Sequence, residues 1–323
     1  MQSTFVFQGN DRWPTCHAGT ICELKTGELV AAWFAGERES SDDSGILLSK
    51  WTGDQWTPPR VVVNVHKRAA GNPKLFIGPD GVLWLIAPVN YGAWCEGGTW
   101  LFVKRSFDHG ETWTDLELLL QRPGILGKNK PIQLRSGVWL IPVEDEVAST
   151  PMFLRSEDQG VTWELVPVEN DDWVIQPTVV ELADGTLLAY CRSGSGAIYE
   201  TRSKDEGRTW TKTQRTTLPN NNSGIDMVRL RSGLLVLVLN WVEPRDDDKW
   251  IKGVRWGRRT PLNLAVSPDE GKTWLPGPVL EDGPGEYSYP AIIQGSDGLI
   301  HVIYTHRRTA MKHVVLEEDE LLD

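Results

Sequence analysis

This sequence predicts an all-β chain folded as a six-bladed β-propeller, and three observations carry that expectation. The pattern Ser-x-Asp-x-Gly-x-Thr-Trp occurs four times, as SFDHGETW from Ser106, SEDQGVTW from Ser156, SKDEGRTW from Ser203 and SPDEGKTW from Ser267. A turn running into an apolar strand recurs six times, as KTGELV at 25, PDGVLW at 79, RSGVWL at 135, ADGTLL at 183, RSGLLV at 231 and SDGLIH at 296. Helical periodicity is weak throughout, and 20 prolines with 31 glycines suit a turn-rich β chain.

The eight-residue pattern has the chemistry of a hairpin turn. Its Asp can accept hydrogen bonds from backbone amides of the turn, its Gly supplies positive φ, and its Trp offers a large apolar plate to bury between blades. These are structural jobs, so the pattern identifies a fold and not an activity. The six turn-plus-strand units lie 48 to 65 residues apart, enough for four short strands each. WTGDQW from Trp51 reads as a decayed copy of the pattern in the first blade, and the last blade has none. The segment from Thr4 to Phe7 is therefore expected to add a strand to the last blade and close the ring. No linker or shift of composition marks a second domain, so residues 1–323 read as one.

Composition narrows the function classes. Hydrophobic residues make up 40% and charged residues 24%, the balance of a soluble globular protein. No apolar run approaches a membrane span of about 20 residues, and Met1 to Arg12 lack the pattern of a signal peptide. A cytoplasmic location, without a membrane partner, is the expectation. The net charge of −11 argues against a nucleic-acid partner. Cys16, Cys22, Cys95 and Cys191 have no metal-site spacing and read as reduced core thiols. With no metal-ligand cluster and no phosphate loop, no cofactor is expected. One stretch departs from the acidic balance: Lys252, Arg255, Arg258 and Arg259 lie together without an acid, as a solvated loop or an anion-binding rim.

The repeated pattern is an Asp box, and the chain resembles the sialidase superfamily over nearly its whole length. It is most similar to a divergent branch of sialidase-like, BNR-repeat proteins in the segments CHAGT, GNPKLF, GKNKPIQL, NNNSGID, RTPLNLA and GEYSYPA, which recur at equivalent places in successive blades. The resemblance implies three arginines clamping a carboxylate, a tyrosine nucleophile paired with a glutamate, and an aspartate as acid/base. Carried onto this chain, the aspartate falls at Asp43 or its neighbour Asp42, the third arginine at Arg259 and the tyrosine at Tyr289. Three positions depart. The first arginine falls at His17, the glutamate at Gln176 and the second arginine at Ile198, with Arg192 near enough to substitute.

Inner strands of a propeller converge on one mouth, so these distant residues are expected to meet there. Beside Asp42 or Asp43, His17 would serve as a general acid or base; its alternative is a structural histidine. Arg259 suits a bidentate carboxylate clamp, against the alternative of packing between blades. Tyr289 needs a base to become a nucleophile, and the amide of Gln176 cannot take a proton. Glu286 is near in sequence. Asn72, Asn129, Lys130, Asn222 and Asp226 are candidates for sugar hydroxyls, and Trp94 and Trp100 for a stacking platform.

The resemblance and the retained Arg259, Asp43 and Tyr289 imply an exo-acting glycoside hydrolase of sialidase-like type, with a glycan bearing a terminal acidic sugar as its partner. An alternative is a polysaccharide lyase in which Arg259 neutralises a uronate and His17 or Tyr289 removes the C5 proton. A third is a glycan-binding propeller without catalysis.

Overall fold

The computed structural model describes residues 1–78, 80–92 and 96–322. Six antiparallel sheets follow one another along the chain. Their innermost strands are Thr15–Glu23, Lys74–Ile77, the pair Ile125–Leu126 and Ile132–Gln133, Val174–Glu181, Asp226–Arg229 and Tyr287–Gln294, which begin blades 1 to 6 in order. The expected closure is present. Gln2–Gln8 pairs with Ala310–Leu316, so the last blade takes its outer strand from the opposite end of the chain and the ring is closed by joining the two ends in one sheet.

Each turn between a first and second strand is built alike. Gly27, Gly81, Gly137, Gly185, Gly233 and Gly298 all stand at φ between 75° and 99°, a region that L side chains avoid, which is why glycine recurs at that spacing. The box tryptophans pack where the sequence puts them. Trp113, Trp163, Trp210 and Trp274 lie against clusters that join their own blade to the preceding one. Trp210 stacks on Phe153 of blade 3 with ring centroids 4.0 Å apart. In blade 1, Trp56 of the decayed box joins a cluster with Ile303 and Met311 of blade 6, doing the same job across the closure. Cys16, Cys22 and Cys191 are buried thiols, and burial pushes Cys16 and Cys22 up to about 12; Cys95 lies outside the described residues.

Two features set up the mouth. First, the inner strands of blades 1, 4 and 6 carry a register break, with Ala18, Gln176 and Tyr289 at φ of 53°, 52° and 51°. Such bulges re-aim a side chain off the sheet. Secondly, the axis is closed by polar side chains that tie blades together. The Lys128 ammonium donates to the carbonyls of Ile225 and Pro290, and Asn129 donates to the carbonyls of Gln176 and Pro177. Lys130 reaches Asp226 at 2.7 Å, while Asp226 also accepts from Thr178 and from the Ile292 amide. Lys130, Asp226 and Asn129, expected to meet sugar hydroxyls, thus spend their hydrogen bonds on holding blades 3 to 6 to one another.

Candidate active site

Above this plug lies a cavity of about 210 Å³, lined among others by Tyr289, Gln176, Arg192, Glu144, Trp173 and Trp256. The Tyr289 hydroxyl is its polar centre. It accepts from Arg192 Nη1 at 2.5 Å and from Gln176 Nε2 at 3.4 Å. Arg192 is itself fixed: Nη1 also donates to Gln176 Oε1 at 3.0 Å, and Nε donates to Asn222 Oδ1 at 2.7 Å. Arg259 approaches the same tyrosine from another side, its guanidinium carbon 5.5 Å from the ring centroid. Residues from blades 4, 5 and 6 therefore meet at one phenol, as the inner-strand argument requires.

Glu286 binds to the clamp. Its Oε1 accepts from Arg259 at 2.7 Å, from Arg308 at 2.6 Å and from Ser288 at 2.8 Å. Burial alone would raise the Glu286 carboxyl, but the two guanidinium groups outweigh it and hold the group below its usual range. Arg308 also pairs with Glu39 at 2.6 Å. It comes from the turn between the second and third strands of blade 6 and so brings a third arginine to the neighbourhood of Tyr289, close to where His17 stands in place of one.

His17 is buried, its ring 4.1 Å from the Tyr289 ring, with Nδ1 2.8 Å from Thr305 Oγ1 and, among the described residues, no partner on Nε2. Burial, reinforced by Arg308, Arg259 and Arg192, holds the imidazole well below its ordinary value, so it is neutral at physiological pH. It does not share a pocket with Asp42 or Asp43, the neighbours expected from the sequence; its contacts are Thr305, Phe34 and Tyr289, and it lines a depression that also holds Glu39.

Asp42 and Asp43 require a larger correction. Both are exposed and line a separate depression with Arg12, Trp13, Asn64 and Lys67. The cause is local. The Asp43 carboxylate turns back to accept from the Glu37 amide at 3.0 Å and from Ser41 Oγ at 2.5 Å, which holds its own loop in shape. The same loop instead presents Glu39 and Ser40 to the central cavity.

A second carboxylate there had no sequence signal. Glu144, on the second strand of blade 3 (Trp139–Asp145), is buried, lines the cavity and accepts from the Gln176 amide at 3.3 Å. Burial raises its carboxyl above the ordinary range, against the opposing pull of Lys74 and Arg192. Asn72 does line the cavity. Asn222 acts on the arginines, with its side chain on Arg192 and its carbonyl 3.4 Å from Arg259 Nη2. Trp94 lies outside the described residues, and Trp100 does not reach the cavity. The aromatic walls are Trp173 and Trp256, whose rings lie 5.5 and 5.6 Å from the Arg192 guanidinium carbon.

The chain has relatives of known type. It is 26% identical to an anhydrosialidase of Macrobdella decora over 231 residues, which is 64% of this chain and 29% of that much longer protein. Among solved structures, a Hadza microbial sialidase superposes over 99% of this chain and 69% of its own, with a TM-score of 0.81 at 20% identity. An intramolecular trans-sialidase from Ruminococcus gnavus, solved with oseltamivir carboxylate, covers 98% of both chains with a TM-score of 0.77 at 15% identity. A Dyadobacter fermentans protein of unknown function matches over 98% of both chains at a TM-score of 0.77 and 18% identity. These likenesses bear out the propeller. Residues 27–302 match the BNR repeat-like domain, and the chain belongs to that sialidase-like family.

Proposed function

We propose that this protein is an exo-acting glycoside hydrolase of sialidase type, cleaving a terminal acidic sugar, sialic acid or a close relative, from a glycan. The observation that carries the reading is the Tyr289 hydroxyl held 2.5 Å from Arg192 in a cavity, with Arg259 over the same ring. The guanidinium groups of Arg192 and Arg259 bind the sugar carboxylate and so bring the anomeric carbon to the phenol oxygen. Tyr289 attacks that carbon, its proton passing to a carboxylate, while the leaving oxygen takes a proton from an acid. Glu144, buried on the cavity wall, is the proton acceptor in place of Gln176. Glu39, on the loop where the resemblance puts the acid, protonates the leaving group. Water then releases the sugar from tyrosine. Sequence likeness to the Macrobdella decora anhydrosialidase supports a sialic-acid substrate. Incubation with a panel of sialyl and uronyl glycosides tests this: liberation of the free acid or of its anhydro form is expected, and a panel left intact would sink the proposal.

One observation favours a second reading. Both groups that hydrogen-bond the phenol, Arg192 and Gln176, are donors that suit a carboxylate, so a uronate could be neutralised there while Tyr289 or neutral His17 removes the C5 proton. The new double bond would absorb in the ultraviolet, and release of sugar without that rise excludes a lyase.

A further inference from the structure

The connection between the second and third strands of blade 5 differs from the other five. It runs from Asn240 to Pro261 and folds its own hairpin, Lys249–Ile251 paired with Val254–Trp256. This arm contains the acid-free basic stretch noted in the sequence. It exposes apolar side chains that no core uses, Trp250 at 62% and Ile251 at 53%. A depression of about 430 Å³ opens beside it, lined by Lys249, Arg258 and Asp247 of the arm and by Arg259, Glu286 and Arg308. Trp256 lines both this depression and the central cavity, so the two adjoin.

The charges sort into used and unused. Arg255 pairs with Asp248 at 2.8 Å and lies 5.9 Å from the Trp250 ring, which tethers that indole. Arg259 and Arg308 are engaged by Glu286. Among the described residues, Lys249, Lys252 and Arg258 have no ion-pair partner, although the chain as a whole carries −11. Five basic residues line the depression (Arg245, Lys249, Arg258, Arg259 and Arg308) against three acidic ones (Asp247, Asp248 and Glu286). A local cationic surface on an acidic protein, walled by the Trp256 indole that it shares with the adjoining cavity, fits an anionic sugar.

We propose that the blade 5 arm forms a second sugar subsite, taking a second negatively charged residue next to the terminal acidic sugar, with Trp256 as the aromatic wall shared with the cavity and Lys249 and Arg258 as its counter-charges. The inference rests on the reading of the central cavity as a glycan site, but not on turnover. Binding is therefore measured by calorimetry on the full chain carrying Tyr289→Phe, with a monosialyl trisaccharide and a disialyl tetrasaccharide as probes. The disialyl probe is expected to bind about tenfold more tightly, and more so at low salt. Lys249→Ala and Arg258→Ala are each expected to weaken that advantage, and together to abolish it, while leaving the monosialyl affinity and the thermal midpoint unchanged. Equal affinity for the two probes, or an advantage that survives the double variant, overturns the subsite. If the advantage is found but the wild-type chain cleaves neither probe, the hydrolase reading fails and the subsite stands. If neither probe binds, both fail.

Discussion

The Asp-box turns and the central mouth belong to the same blades but are built by opposite rules. In each box, one Asp does one local job four times over. Asp108, Asp158, Asp205 and Asp269 each accept from the amide and the hydroxyl of a Thr four residues on, at 2.5 to 2.9 Å. Every partner lies within the same turn. At the mouth no residue recurs at the spacing of the blades, and the contacts join residues far apart: Arg192 with Tyr289, 97 positions away, and Arg308 with Glu39, 269 positions away. Local repetition makes a fold legible and tolerant of change; convergence of unlike residues makes a site. Substitutions at the mouth should therefore remove activity with little loss of stability, and those in the boxes the reverse.

The largest effect is expected from Tyr289→Phe, which removes only the hydroxyl. Turnover should fall on the order of 10³-fold, because the phenol oxygen is the group proposed to attack the sugar, while the thermal midpoint is retained. Substantial residual turnover would mean that the phenol is not the nucleophile. Next comes Glu144→Gln, with a fall of about 10²-fold in kcat. Its pH profile makes the sharper measurement. A base whose carboxyl is raised by burial gives a rate that falls as pH drops through a value above the ordinary carboxylate range, and the Gln variant should lack that limb. Stability moves the other way. A raised folded-state pKa means the protonated form is favoured by folding, so this contribution is present at low pH and lost as pH rises; Glu144→Gln should flatten that loss. Adding Gln176→Glu, which restores a carboxylate one hydrogen bond from the phenol, should recover part of the turnover. A purely structural Glu144 would show no such rescue.

A smaller effect is expected from Arg192→Lys. The charge survives, but the fork that reaches Tyr289, Gln176 and Asn222 together does not. KM for an acidic substrate should rise about tenfold or more, with a lesser change in kcat, read from initial rates across substrate concentration.

How far the sequence could be read follows from the same contrast. The hairpin turns and box turns of the blades are set by neighbours in sequence, and repetition made them visible; the closing strand and the packing of the box tryptophans followed from counting those repeats. Arg259, Tyr289, Gln176 and Arg192 were reachable because they sit at fixed distances from those repeats. Glu144, Trp173 and Trp256 come from second-strand and loop positions that the repeats do not index. Arg308 did leave a trace. Arg307 and Arg308 occupy a tight turn at φ of 55° and 63°, where Asn or Gly is the usual choice, and two arginines in such a place signal a use beyond the turn. Asp43 misled because a carboxylate near the expected position had a nearer task, capping its own loop, which only the loop geometry reveals.

The smallest effects should come from the boxes, and they test the other half of the contrast. Gly207→Ala should cost about 1–2 kcal/mol, since φ there is 81° and the new Cβ would stand 2.9 Å from Leu140 Cδ2. Turnover should be unchanged. Asp158→Asn is smaller still. Hydrogen bonds from Thr162 and Ser156 hold the Asp158 carboxyl at about 2, below its ordinary 3.8. The native state therefore favours the ionised form: the contribution is present above the unfolded value and lost as pH falls toward about 2. The amide keeps the shape but has only one acceptor oxygen for donors that fill two, so the variant should be slightly less stable at neutral pH and lose less stability on acidification. Because the turn faces solvent, the difference is small, and acid titrations of the two proteins followed by tryptophan fluorescence should converge at the acid end. An Asp158→Asn protein that unfolds as the native one does at every pH would show that the turn is held by its backbone alone.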